Sequence, residues 1–164
     1  MDLFASPSVR AAEVGATHPL ASILAGREDV FTMTEQAENA ALVPDEPGGL
    51  SYGERAAFAC RIARLNDEPR LAAHFERRMA VADMAGSALA DPAFDGKSDD
   101  RMAALLRHID LVTRSPKAVV AADIDALKRA GISEDDIVRL SQLVAFVNYE
   151  ARVCRGLRLL ARAS

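Results

Sequence analysis

The segment LSYGERAAFACRIARLNDEPRLAAHF, residues 50–75, decides the fold. Ser51 followed three residues later by Glu54 is a capping box: the hydroxyl takes the N3 amide and the carboxylate reaches back to the cap N–H. The helix it opens puts Phe58, Ile62 and Leu65 on one side, the spacing of a core-facing stripe. Asn66-Asp67-Glu68-Pro69 then breaks that helix and starts another. Pro69 suits a first helical turn, where its missing N–H costs nothing. Asp67 is the expected cap there, and Glu68 the acid that serves the helix N-terminus. Leu71, Phe75, Met79 and Ala82 carry the second helix to about Ala90.

Upstream, VPDEPGG (residues 43–49) is a turn cluster and the clearest boundary in the chain. Before it, Leu20, Ile23, Leu24, Val30, Phe31 and Met33 recur at helical spacing from His18 to about Leu42, with a break near Gly26. Residues 1–17 hold small residues, Pro7 and Gly15 without a sustained period, which predicts a flexible leader ahead of a single domain over 18–164. Downstream, residues 91–98 form a loop, and Met102, Leu105, Leu106, Ile109 and Val112 make one apolar stripe. Ser115-Pro116 opens a short helix that Gly131 stops. Ser133-Glu134-Asp135-Asp136 caps the last helix, whose first-turn acids complement the dipole. That helix runs through Ile137, Leu140, Leu143, Val147 and Leu157 to about Leu160, long enough to cross a whole bundle or a subunit interface. The fold class is all-α, with six to eight helices.

Composition agrees. Of 164 residues, 32 are Ala, a helix former. Half are hydrophobic and the formal charge is −4, which argues against disorder and leaves no basic footprint for nucleic acid. No apolar run reaches the length of a membrane span, and the opening MDLFASPSVR lacks the apolar region of a secretion signal. The expected setting is cytoplasmic, with no membrane and no nucleic acid as partner. The two cysteines, Cys60 and Cys154, stand far apart, and the three histidines are scattered. Neither a disulfide scaffold nor a metal-ligand spacing exists in the sequence, so no metal or cofactor is expected. Both cysteines read as small buried hydrophobes.

Two stretches are familiar: residues 50–75, quoted above, and LVTRSPKAVVAADIDALKRAGISEDDIVRLSQLVAFVNYEARVCRGLRLL, residues 111–160. The chain resembles the carboxymuconolactone decarboxylase and alkylhydroperoxidase D-like superfamily, close to its peroxidase-related branch. The first stretch is similar to the family's capped helix, short turn and histidine-bearing helix. The second is similar to its helix, glycine turn and long arginine-bearing helix. The resemblance implies an alkylhydroperoxidase D-like helical bundle, assembly into homo-oligomers, antioxidant peroxidase or decarboxylase ancestry, and a thiol-bearing superfamily partner.

The family's peroxidases use a Glu, a C-x-x-C and a His: one thiolate attacks the peroxide, the other resolves the sulfenic acid, and Glu and His relay protons. In NDEPRLAAH the first thiol position falls on Asp67 or Glu68, and the second on Arg70 or Leu71. None of these can replace a thiol, so the dithiol route is absent. His74 stands where the family histidine would be, and the family Glu falls near Glu54, Arg55 or Ala56. Glu54 is accounted for by capping, and His74 by an interior or interface hydrogen bond. As functional groups, His74, Glu54 and Glu68 are the acid–base candidates, since histidine titrates near neutrality.

Arg70 and Arg78 each lie four residues from His74, on its helical face, and could hold a small carboxylate ligand. Arg61, Arg64, Arg77 and Arg78 read as a basic cluster around His74. His108 reads as structural, and Asn148 with Arg152 as a polar tie between helices or a pocket lining. The function this favours is a structural or regulatory subunit that has lost the catalytic thiols; the alternatives are a decarboxylase-like enzyme that uses no thiol but His74 on a small carboxylate, and a peroxidase recruiting Cys60 or Cys154.

Overall fold

A computed structural model describes residues 2–82 and 88–163. Among these there are helices and no strand: α1 Pro7–Ala11, α2 Ala21–Ala25, α3 Glu28–Leu42, α4 Tyr52–Leu65, α5 Pro69–Ala82, α6 Asp100–Arg114, α7 Ala121–Arg129 and α8 Glu134–Ala163.

Helices α4 and α5 form the centre, because α4 is alanine-rich enough to be buried on nearly every side. Ala56 through Ala63 are all buried, and Phe58, Ile62, Leu71 and Phe75 are wholly inside. The capping box forms as the sequence predicts: the Glu54 N–H donates to Ser51 Oγ at 3.2 Å, and the Ser51 N–H to Glu54 Oε2 at 2.7 Å. The turn into α5 sets Asp67 at φ 55°, a left-handed conformation that Asp tolerates better than most residues. Helices α6 and α8 pack on α4, and α8 also packs on α1 and α3. The 30-residue α8 thus spans the bundle, contributing Leu140, Leu143, Val144, Val147 and Cys154 to one core.

Three expectations need correction. Residues 1–17 are not a loose leader: Leu3, Val9, Ala12 and Val14 are buried in a second apolar cluster with Leu20, Leu24, Phe31 and Leu157. Their pattern shows no period because a three-residue 3₁₀ turn and a five-residue helix are too short to carry one. The α5 helix is described to Ala82; residues 83–87 lie outside the described residues, and 88–90 form a 3₁₀ turn. The short helix expected after Ser115 is split into a 3₁₀ turn, Pro116–Ala118, and α7. Gly131 ends that unit at φ +80° as anticipated, and the Asp136 N–H donates to Ser133 Oγ at the start of α8.

Two buried arginines, Arg55 and Arg61, fix the loops. Arg55 donates to the carbonyls of Leu50, Ala41 and Pro47 at 2.8–3.0 Å, which ties down the turn over 43–49. Arg61 forks onto both oxygens of Asp110, at 2.6 and 2.7 Å, and donates to the carbonyls of Asp91 and Phe94. Arg64 reaches the Ala90 carbonyl and Glu76. Arg61 and Arg64 therefore hold the loop after α5 and do not belong to a basic cluster around His74.

Candidate functional site

His74 lies on α5 where that helix faces α3 and α1. Its Nε2 is 2.8 Å from Oε1 of Glu38, a carboxylate of α3 that is only 3% exposed. Arg78, one turn further along α5, approaches the same Glu38 oxygen at 3.8 Å and donates to Asn39 Oδ1 at 2.8 Å. A carboxylate only accepts hydrogen bonds, so Nε2 is assigned the proton and donates to Glu38. The same bond leaves Nδ1 as the basic nitrogen of the neutral ring. No described residue hydrogen-bonds Nδ1.

His74 also lines a cavity of about 190 Å³ between α5 and the N-terminal segment, with Ala5, Pro7, Arg10, Arg70 and Arg77. Arg70 pairs there with Glu13. Of the two arginines anticipated beside His74, Arg70 thus faces the cavity, whereas Arg78 turns to the Glu38 side. Arg10, supplied by α1, is the member sequence reasoning missed. Its segment carries no helical period, and no local spacing links it to α5.

Behind the His74–Glu38 pair lies a second buried acid. Glu150 on α8 is wholly buried, and its Oε1 accepts from the Ser8 hydroxyl of α1 at 2.9 Å. Burial, and secondly the charge of Glu38, push the Glu150 carboxyl up from 4.5 to about 8. Glu38 Oε2 and Glu150 Oε2 are both buried without a hydrogen-bond partner.

Glu68 is elsewhere employed. Its carboxylate is wholly buried and paired with Arg158, with Arg155 at 3.6 Å. It ties the start of α5 to α8 rather than serving the helix end. Glu54 stays with its capping box and a 2.7 Å ion pair to Arg101, and lines a different cavity of about 890 Å³ with Tyr52, Phe94 and Met102. The three acid–base candidates are therefore not one constellation.

Both thiols are free and buried. Cys60 donates to the Ala72 carbonyl across α4 and α5 at 3.6 Å. Burial pushes its thiol up to about 11 and that of Cys154 up to about 12, the latter helped by Glu150 and Glu68. His108 is buried, its Nδ1 has no partner, and burial pushes its basicity down. Asn148 is a tie: it accepts from Asn66 at 3.0 Å and donates to Thr113 at 3.4 Å, joining α8 to α4 and α6. Among the described residues no group of three or more His, Cys, Asp or Glu could hold a metal ion.

Fold and site together define an all-helical protein in which a histidine–carboxylate pair opens onto an arginine-lined cavity. No family model, no curated protein and no solved structure matches the chain.

Proposed function

We propose that the chain is a member of the carboxymuconolactone decarboxylase and alkylhydroperoxidase D-like superfamily, of peroxidase ancestry but without the catalytic dithiol, that binds a small carboxylate at His74. The observation that carries this reading is the Glu38–His74 pair at 2.8 Å on a cavity shared with Arg10, Arg70 and Arg77. Guanidinium groups bind carboxylates through charge-assisted bonds about twice as strong as neutral ones. In a ring held at Nε2, Nδ1 is the nitrogen left to exchange a proton with such a ligand. At the family's thiol positions, Glu68 is engaged by Arg158 and Leu71 is core. Cys60 and Cys154 are protonated groups inside the protein, which speaks against a recruited dithiol.

Thermal melts with acetate, succinate and benzoate test the site. Wild type is expected to be stabilised by at least one of them, and His74→Ala and Arg77→Ala to lose that response. A wild type that none of the three stabilises overturns the reading.

A second reading keeps the scaffold and no chemistry: a structural or regulatory subunit in a homo-oligomer, or beside a thiol-bearing relative, in the cytoplasm. It is favoured by the apolar groove of about 480 Å³ between α3 and α8, where Val30, Met33 and Tyr149 are exposed.

A further inference from the structure

Two wholly enclosed carboxylates on facing helices, α3 and α8, are treated unequally by their surroundings. Glu38 has the His74 ring at 2.8 Å and the Arg78 guanidinium at 3.8 Å on Oε1. Glu150 has a single neutral donor, the Ser8 hydroxyl from α1. Its own helix adds Cys154, a protonated thiol, and the His74 and Arg78 side chains of α5 are set against Glu38. No cation is paired with Glu150 among the described residues. An ionised carboxylate so enclosed, facing a second negative charge, is the arrangement that protein interiors avoid by retaining a proton. Between the two acids, the group lacking cationic partners keeps it.

We propose that Glu150 is a positioning residue for the His74 site: it retains the one proton of the Glu38–Glu150 pair, so that the pair's single negative charge stays on Glu38 and holds His74 with Nε2–H inward and Nδ1 toward the cavity. The Oε2 of Glu150 has no partner, so nothing beyond the Ser8 hydroxyl stabilises a charge there. A second charge at Glu150 would stand against the charge of Glu38 that holds the ring. Loss of the Glu150 proton is therefore felt at His74, although Glu150 does not border its cavity. The inference rests on the His74 reading for its consequence, but the proton itself is observable without any ligand.

Infrared difference spectra and histidine ring NMR of the unliganded full chain, titrated from mildly acidic to alkaline pH, test it. The expected result has two parts. A protonated-carboxyl C=O band is present in wild type at neutral pH, disappears with a midpoint near pH 8, and is absent from Glu150→Gln. The His74 ring shifts, assigned by their loss in His74→Gln, show a second inflection at that same midpoint, which Glu150→Gln removes. Ser8→Ala, which deletes the one donor to ionised Glu150, moves both midpoints upward. This variant keeps the test independent of how well Glu150→Gln folds.

A wild type without the neutral-pH carboxyl band overturns the proposal. So does a band that survives in Glu150→Gln, or a Ser8→Ala variant whose midpoints do not move. Failure of acetate, succinate and benzoate to bind, with the band and inflection intact, overturns the carboxylate reading and leaves the shared proton standing.

Discussion

His74 of α5 and Glu38 of α3 meet at 2.8 Å although they lie 36 residues apart, and one is 20% exposed while the other is 3% exposed. The pair thus joins a surface-facing ring to an enclosed carboxylate, and its energetics can be measured from either side. Removing the ring leaves Glu38 buried with only Arg78 as a cationic neighbour, so His74→Ala is expected to lose about 1–3 kcal/mol. In a cycle with Glu38→Gln the losses should fall short of additivity by at least about 0.5 kcal/mol, as for residues in direct contact. Urea melts of the four proteins measure this, and strict additivity would dissolve the pair.

Glu150 makes stability depend on pH in a definite direction. Its carboxyl is raised from 4.5 to about 8 in the folded state, by burial first and Glu38 second. The folded protein therefore holds this proton more tightly than the unfolded chain. The Glu150 contribution is complete below the unfolded value and is lost as pH climbs toward the folded one, by at most about 1.4 kcal/mol per pH unit. The difference in stability between Glu150→Gln and wild type should consequently move in favour of the variant over that window and flatten above it. Chemical denaturation at a series of pH values gives the curve, and a flat difference would contradict a buried neutral acid.

The thiols should be inert. With Cys60 raised to about 11 and Cys154 to about 12, the thiolate that attacks peroxide or alkylating agents is scarce at neutral pH. Iodoacetamide should label neither cysteine in the native protein and both after denaturation. Dithiol-dependent turnover of tert-butyl hydroperoxide should be negligible. Turnover abolished by Cys154→Ser would reinstate a peroxidase.

Arg61 is the most demanding side chain outside the site. Replacing it with Ala orphans the Asp110 carboxylate and the carbonyls of Asp91 and Phe94. The cost should be about 1–3 kcal/mol, since Asp110 is 24% exposed and regains water while the loop carbonyls lose their donor. Lys in its place should recover little, because it cannot fork onto Asp110 while reaching the loop carbonyls. Denaturant midpoints of the two variants decide this.

The exposed apolar face carries the last expectation. Val30, Met33 and Tyr149 border one groove, and the sequence is half hydrophobic. Sedimentation equilibrium is expected to give a mass above the 17.6 kDa of one chain. A clean monomer at micromolar concentration would refute it.

Features that depend on near neighbours along the chain are legible without the fold. Ser51 and Glu54 lie three residues apart, as do Ser133 and Asp136, so their caps are written locally and formed as read. The apolar stripes of α6 and α8, the stop at Gly131 and the burial of both cysteines were legible for the same reason, a helical period or a turn residue. Tertiary structure alone decided which charges meet. Glu38, Glu150 and Ser8 sit on three helices and carry no shared spacing, and each looks like an ordinary surface residue in its own segment. Glu68 turned inward to Arg158 instead of serving its helix end, a choice made by a helix 90 residues away. Arg10 reached the His74 cavity because the first residues fold back onto α5 and α8. A polar side chain's partner is set by packing between elements, and packing between elements leaves no period in the sequence.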